Sequence, residues 1–263
     1  MGNDVLCGGR LRMKDTVERF SNRVENYVKY RPHYPPAVLE LFRNEMGLTP
    51  DSLIADIGSG TGISSELFLK NGNTVYGVEP NEKMREAAEK YLSSFSNFKS
   101  INGTAEATTL GDNSVDVVVA GQAFHWFDME KTKPEFKRIL KPGGHIALMW
   151  NERQLDTTPY LREYEEFLLK YSSDYEVVRH DKFDAKVLDD YFENGVAAVT
   201  FPNQQIFDFE GLKGRLLSAS YVPSEDDTRY PEMIEELKTL FAKHAQSDRI
   251  TVFYDTNVYY TKY

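Results

Sequence analysis

Strand-like and helix-like patterns alternate along the middle of the chain. The apolar run Leu53-Ile54-Ala55 predicts a strand, and residues 63–70, which follow a glycine-rich turn, predict a helix. The strand segments of this region are nearly all apolar, as expected where helices cover both faces of a sheet. This order predicts a parallel sheet with right-handed crossovers. Further strands are predicted at 73–78, 98–101 and 115–121 and after Gly144, and further helices at 82–92, capped by Asn81, and at 133–140.

The pattern changes on both sides of this region. Residues 13–29 predict a helix that the prolines at 32, 35 and 36 break, and Pro36 opens a second helix to about Glu45. After Trp150 the chain predicts helices at 159–171, 212–220 and 231–245, a strand pair or hairpin at 196–209, and two final apolar runs, 249–254 and 257–263, separated by Asp255-Thr256.

The turn after the first strand, Asp56-Ile57-Gly58-Ser59-Gly60-Thr61-Gly62, carries the strongest functional signal. Glycines allow a tight turn and a close approach of the backbone to a ligand. The amides of the following helix point at any negative group bound there. A strand, a glycine turn and a helix start therefore predict a nucleotide-binding cradle.

The spacing of the glycines narrows the choice of nucleotide. A dinucleotide fingerprint needs a third glycine at position 63, where this chain has Ile63, and a P-loop needs a lysine directly after Gly62. Asp56 suits a ligand with an amine or sulfonium better than a pyrophosphate. Glu79, at the end of the second predicted strand, suits the two hydroxyls of a ribose, which NAD also carries.

Five segments in order resemble the class I S-adenosylmethionine (SAM) dependent methyltransferases. They are Asp56 to Gly62, Glu79, Gly103 to Glu106, Val115 to Phe127, and Arg138 to Leu148. Residues 123–127 and 30–35 look most like the small-molecule branch of methyltransferase type 11, near the trans-aconitate and ubiquinone-biosynthesis enzymes. The resemblance implies an α/β, Rossmann-like sheet of seven mostly parallel strands with helices on both faces, an antiparallel last strand and helical lid elements. It also places a helical insertion at 210–247, between the last two strands.

The resemblance implies SAM as methyl donor, S-adenosylhomocysteine as product, and no metal. Asp56 is expected to hold the methionine amino group, directly or through water, and Glu79 the ribose. Met84 is expected against the adenine, with core packing as the alternative, and Gln122 at the methionine part. The expected cofactor-binding residues are Asp56, Gly58, Ser59, Gly60, Gly62, Glu79, Pro80, Asn81, Met84, Thr104, Ala105, Glu106, Gln122, Ala123, Tyr30 and Arg31.

The acceptor side has weaker sequence signals. His125 is the candidate catalytic residue, and a purely structural histidine is the alternative. Arg31 suits either the carboxylate of SAM or an acidic acceptor, because its planar fork matches carboxylates. His33, Tyr160 and Tyr221 are further candidate bases. The expected substrate-binding residues are Phe124, Trp126, His33, Tyr160 and Tyr221.

Composition limits the classes of function and location. The 263 residues predict a single methyltransferase domain at 13–263 after a leader at 1–12, with cap helices at 13–48, a SAM-binding core at 49–150, and a C-terminal part with a helical substrate lid at 151–263. The net charge of −10 argues against a nucleic-acid partner, and no apolar run reaches the length of a membrane helix. The single Cys7 suits a reducing cytoplasm, where we expect a monomer or homodimer.

Four functions are considered, and the observations favour them to different degrees. The leading prediction is a SAM-dependent methyltransferase that acts on an oxygen, carbon or carboxyl group of a small molecule. A non-catalytic SAM-binding or sensing protein has the same donor motifs. An NAD-type oxidoreductase has a differently placed third glycine, and an RNA methyltransferase would need a basic surface.

Overall fold

The computed structural model describes residues 28–172, 188, 191–192 and 195–263. The predicted leader at 1–12, Cys7 and most of the predicted helix at 13–29 lie outside these ranges. Residues 28–30 are helical. The division of the chain into cap, core and lid remains a prediction.

Seven strands and seven α-helices make up the described part. The strands are β1 Leu53–Ile57, β2 Thr74–Val78, β3 Phe98–Ile101, β4 Val115–Gly121, β5 Leu140–Arg153, β6 Ala197–Phe207 and β7 Ile250–Lys262. The helices are α1 Ala37–Met46, α2 Ile63–Lys70, α3 Glu82–Tyr91, α4 Met129–Ile139, α5 Pro159–Tyr171, α6 Phe209–Leu217 and α7 Tyr230–His244, and a short 3-10 helix spans Phe124–Trp126.

The strands form one sheet in the order β3-β2-β1-β4-β5-β7-β6. Strands β1 to β5 pair in parallel, and β7 pairs antiparallel with both β5 and β6. The predicted Rossmann-like sheet with an antiparallel last strand is therefore confirmed. Helices α6 and α7 lie between β6 and β7 in the chain, where the insertion was expected.

Local sequence accounts for the helix starts. The Asn81 side chain accepts a hydrogen bond from the amide of Met84 and so caps α3, as predicted. Thr158 caps α5 in the same way, with a proline in its first turn. Helix α4 begins at Met129, four residues before the predicted start, because Asp128 already adopts the extended conformation of an N-cap.

The core consists of three groups of buried side chains. One group, with Phe42 and Phe68, lies where α1 and α2 cover one face of the sheet, and a second, with Phe136 and Trp150, lies under α4 on the other. The third joins α5, α6 and α7 to the start of β7. Helices therefore cover both faces, and the third group fixes the insertion against the edge of the sheet.

The strand pair or hairpin predicted at 196–209 was wrong. Residues 196–209 form one strand, β6, and no hairpin, because every residue from Ala197 to Phe207 has a partner on β7. The two final apolar runs are one strand, because Asp255 and Thr256 continue the ladder opposite Glu152 and Asn151 of β5. The polar pair at their junction is satisfied inside the fold: Gln154 donates to Asp255, and buried Thr256 donates to Asn151.

Strand β5 begins at Leu140, before the predicted start after Gly144, and contains a bulge near its beginning. Val115 pairs with Leu140 and Val117 with His145, so the segment between Leu140 and His145 bulges out of the ladder. Gly143 adopts a φ of +78°, which allows the bulge.

Candidate functional site

A cavity of about 770 Å³ opens at the carboxyl ends of the parallel strands. Its lining comes from the glycine turn, the end of β2, the tip of β4, the residues after β5, the segment before α1, and parts of α5 and α6. Ligand sites of open α/β sheets occur at this edge, because the loops that follow the strands meet there.

The three glycines of the turn are needed for three different reasons. All have positive φ angles, of 66°, 54° and 85° for Gly58, Gly60 and Gly62. A Cβ on Gly58 would lie 2.7 Å from the Cβ of Ala123, and one on Gly62 would lie 2.6 Å from Cδ1 of Leu92. A Cβ on Gly60 would meet no atom within 4 Å, so this backbone is open for a ligand.

Glu79 lies in the cavity wall beside this open backbone. Its Oε2 accepts a hydrogen bond from the Gly60 amide at 3.0 Å and its Oε1 accepts one from the Asn81 amide at 2.9 Å. Burial raises the pKa of this carboxyl, and the two amides partly offset that effect. The two oxygens are fixed in place, and each can also accept from a hydroxyl of a bound ligand.

Asp56 lies behind the lining of the cavity rather than in it. It is fully buried, and its Oδ2 accepts hydrogen bonds of 2.6 Å from the hydroxyls of both Ser64 and Ser65. Oδ1 accepts none from the described residues. Burial raises the pKa of Asp56 to about 6. Ser64 does line the cavity, so Asp56 is linked to the cavity through the hydroxyl of a lining serine.

The tip of β4 forms another part of the wall, next to Gly58 of the glycine turn. Gln122 has a φ of +58°, uncommon for a residue with a side chain, and its amide nitrogen donates to the carbonyl of Asn151. The backbone then turns so that His125 and Trp126 line the cavity. Phe124 points the other way and packs edge-on against Phe127.

The segment before α1 covers part of the cavity. Arg31, Pro32 and Tyr34 line it. The segment is tied to the sheet by side-chain amides: Asn151 donates to the carbonyl of Pro32, and Asn203 to that of His33. Polar residues of β5 and β6 thus hold the cover in place.

The predicted site residues divide into two sets. Those that line the cavity are Gly58, Ser59, Gly60, Glu79, Pro80, Asn81, Met84, Ala105, Gln122, Ala123, Arg31, His125, Trp126 and Tyr221. Those outside the lining are Asp56, Gly62, Thr104, Glu106, Tyr30, Phe124, His33 and Tyr160.

Asp56 and Gly62 are described above. Each of the other residues outside the lining makes a contact elsewhere in the fold. Tyr30 packs on Gly214, His33 bonds to Glu66, and Tyr160 stacks on Tyr164. Glu106 accepts from the amide of Asp128, Thr104 pairs with Ala107, and Phe124 is fully buried.

Several residues that line the cavity were not among those predicted from the sequence. Asn151, Glu152 and Arg153 are the last three residues of β5, directly after its apolar part, and this change from apolar to polar near the end of a strand would have marked them. Arg153 forms a buried ion pair with Glu165 of α5. Arg215 of α6 had no such sequence mark, since it is one cation in a helix far along the chain. Within the described residues no group of three or more His, Cys, Asp or Glu side chains is arranged to hold a metal ion.

Comparisons with known proteins agree with this geometry. Residues 55–148 match a family model described as a methyltransferase domain. A methyltransferase-like protein of Schizosaccharomyces pombe is 27% identical over 244 residues, which cover 91% of this chain and 93% of that protein. A methyltransferase of Mycobacterium tuberculosis is 33% identical over 157 residues, 59% of this chain and 60% of that protein.

A solved structure has the same architecture. The structure, named as a type II methyltransferase of Anaeromyxobacter dehalogenans, superposes with a TM-score of 0.68 at 21% identity, and covers 89% of this chain and 98% of its own. At that identity the likeness supports the fold alone.

Proposed function

We propose that the chain, whose residues 55–148 match a methyltransferase domain, is a class I SAM-dependent methyltransferase that transfers the methyl group of SAM to an oxygen, carbon or carboxyl group of a small molecule. The observation that carries the donor part is the pair formed by Gly60 and Glu79. An open glycine backbone lies beside a fixed carboxylate at the tip of the second strand. Both ribose hydroxyls of an adenosyl ligand can donate to such a carboxylate.

The other donor-side residues fit the same ligand. Met84 and Ala105 line the cavity next to Glu79 and offer apolar surface for an adenine. Ser64, held by Asp56, and Gln122 offer polar atoms for the methionine part. No metal is needed for this chemistry.

The reaction requires the donor and acceptor to be placed in line. When bound, SAM supplies a methyl group on a positively charged sulfur, and its C–S bond breaks, leaving both electrons on sulfur, as the acceptor forms its bond to the methyl. The cavity contributes orientation, which is worth up to about 7–11 kcal/mol in favourable cases. We propose that Arg31, Pro32 and Tyr34, which line one side of the cavity, help to exclude water from the reacting atoms.

The need for a base depends on the acceptor. A carboxylate loses no proton, whereas a hydroxyl or an acidic carbon does. Of the four candidate bases, His125 and Tyr221 line the cavity, and His33 and Tyr160 do not. We propose that His125 accepts the proton on a ring nitrogen where the acceptor has one to lose.

The composition favours a small acceptor in the cytoplasm. A net charge of −10 is unfavourable for a nucleic-acid surface, and a single cysteine suits a reducing compartment. None of the helices in the described ranges has the length and apolar character needed to cross a membrane.

A transfer assay tests the proposed function. Purified protein is incubated with SAM and a panel of hydroxyl, carbon-acid and carboxylate acceptors, and S-adenosylhomocysteine is quantified. We expect acceptor-dependent product, and His125→Ala should slow transfer to hydroxyl and carbon acceptors while leaving any transfer to a carboxylate nearly unchanged. Binding of SAM without any product across the panel would favour the non-catalytic sensing protein instead.

A further inference from the structure

Within the described ranges, the hydrogen-bond partners of Arg215, a cation of the cavity, are neutral groups. Arg215 is half-buried on α6 and lines the cavity. Its Nε donates to the hydroxyl of Tyr254 at 3.2 Å, and its Nη1 to the hydroxyl of Ser218 at 3.5 Å. The hydroxyl of Tyr254 donates a hydrogen bond to Gln205, and the hydroxyl of Ser218 donates one to the carbonyl of Arg215. Both hydroxyls therefore present a lone pair to the guanidinium and act as its acceptors. Most of the five N–H groups of the guanidinium remain available to a ligand.

Arg215 differs in this respect from Arg153, another half-buried arginine of the cavity. Arg153 is paired with Glu165. Among the described residues no carboxylate pairs with Arg215, and the groups that interact with it electrostatically are Tyr254, Tyr221 and Tyr164. Tyrosines are neutral near pH 7. A half-buried charge without a counter-charge is costly, and proteins retain one where a ligand supplies the opposite charge.

A second guanidinium reaches the same place. Nη2 of Arg31 donates to the carbonyl of Ser218 at 3.0 Å, so Arg31 and Arg215 both contact Ser218. Ser218 follows the last residue of α6, where the carbonyl ends of the helix attract positive charge. Arg31 therefore adds a second positive charge near the end of α6, beside the guanidinium of Arg215, whose planar fork can bind a carboxylate in bidentate geometry.

We propose that Arg215, with Arg31 beside it, binds a carboxylate group of the methyl acceptor, which makes the acceptor an organic acid. This inference rests on the proposed function. The methionine carboxylate of the donor is the other carboxylate that could bind here. Arg215, however, lies on the insertion between β6 and β7, while the glycine turn, Glu79 and Gln122 lie on the parallel half of the sheet. This separation favours the acceptor as the source of the carboxylate. The aromatic neighbours of Arg215 suit the carbon skeleton of the acid.

A binding experiment separates the two sources of the carboxylate. Protein saturated with S-adenosylhomocysteine is titrated with a panel of short aliphatic and phenyl-substituted mono- and dicarboxylic acids, each matched by its neutral amide. Affinity for S-adenosylhomocysteine itself is measured in parallel. The variants are Arg215→Gln, Arg215→Lys and, as a control for overall charge, Lys213→Gln on the same helix and outside the cavity lining.

The expected result is a preference for acids that depends on Arg215. Wild type and Lys213→Gln should bind at least one acid about tenfold or more tightly than its amide, Arg215→Lys should keep part of this preference, and Arg215→Gln should lose it. The affinity for S-adenosylhomocysteine should stay within about twofold in all variants. Because Arg215→Gln removes an uncompensated charge, its resistance to unfolding should be equal to or higher than that of wild type.

Three results would overturn the proposal. One is equal binding, or no binding, of acids and amides by the loaded wild type. Another is an acid preference that survives in Arg215→Gln. The third is a large loss of S-adenosylhomocysteine affinity in that variant with the acid preference intact, which would assign Arg215 to the donor carboxylate. Failure of the wild type to bind S-adenosylhomocysteine at all would instead refute the proposed function.

Discussion

At the scale of single residues, the glycine turn combines a binding surface with close packing. Gly60 faces open space, while Gly58 and Gly62 allow the tip of β4 and α3 to approach the turn. The sequence could predict that the turn binds a ligand, because the residues are contiguous. It could not predict which glycine serves which purpose, because Ala123 and Leu92 reach the turn from other elements.

Alanine substitutions should distinguish the glycine that is needed for packing from the one that faces open space. Gly62→Ala should lower the free energy of unfolding by about 2–4 kcal/mol, because buried Leu92 has little room to move and the backbone is left-handed. Gly60→Ala meets no neighbour and should cost about 1–2 kcal/mol from its φ angle alone. Urea unfolding measures both. If Leu92→Ala does not relieve part of the cost of Gly62→Ala in a double mutant, the contact is not its cause.

The buried carboxyl of Asp56 should make stability depend on pH. Its folded pKa of about 6 is higher than the ordinary value of roughly 3.9, so the folded state binds the proton more tightly. This contribution to stability is fully present below the unfolded pKa and is lost as the pH rises through 6. In the ligand-free protein, Asp56→Asn should therefore gain about 2 kcal/mol relative to wild type between pH 4 and pH 7.

Denaturant unfolding over that pH range tests this expectation. The exposed Asp51→Asn is the control and should follow the wild type throughout. A difference between Asp56→Asn and wild type that stays constant with pH would contradict the account of Asp56 as a carboxyl that burial makes hard to ionise.

At the scale of elements, the cavity depends on how the segment before α1 is attached. Asn203 of β6 donates to the carbonyl of His33, and Asn151 of β5 donates to that of Pro32. The elements themselves were largely predictable: residues 63–70 and 159–171 are helices with the predicted bounds. The attachment was not, because it joins residues more than a hundred positions apart. The same reason explains the wrong prediction for β6, whose partner is β7 and not its own second half.

Removing one amide should loosen this cover. Asn203→Ala should speed trypsin cleavage after Lys29 and weaken binding of S-adenosylhomocysteine by about three- to tenfold, since a hydrogen bond of this kind contributes roughly 1 kcal/mol. Gln204→Ala, the exposed neighbour on the same strand, is the matched control. Unchanged cleavage and affinity in Asn203→Ala would show that the cover is held by other contacts.

At the scale of the whole molecule, the cavity is enclosed by two halves that come from different parts of the chain. The parallel half carries the contiguous glycine turn, which the sequence made recognisable. The other half comes from the polar end of β5, the residues that follow it and the insertion, and its polar side chains, such as Arg153 and Arg215, are scattered along the chain. The fold and the glycine turn could therefore be predicted from the sequence, whereas the lining of the other half could be read only from the tertiary structure.

A calorimetric titration with S-adenosylhomocysteine, with NAD as the competing ligand class, tests the central claim most directly. Wild type and the control Glu82→Ala, which changes an exposed acid three residues from Glu79, should bind the adenosyl ligand with a Kd on the order of micromolar, and Glu79→Ala should lose about tenfold or more. NAD should not bind. Tighter binding of NAD, or no adenosyl binding by the wild type, would contradict the assignment of the cradle to a methyl donor.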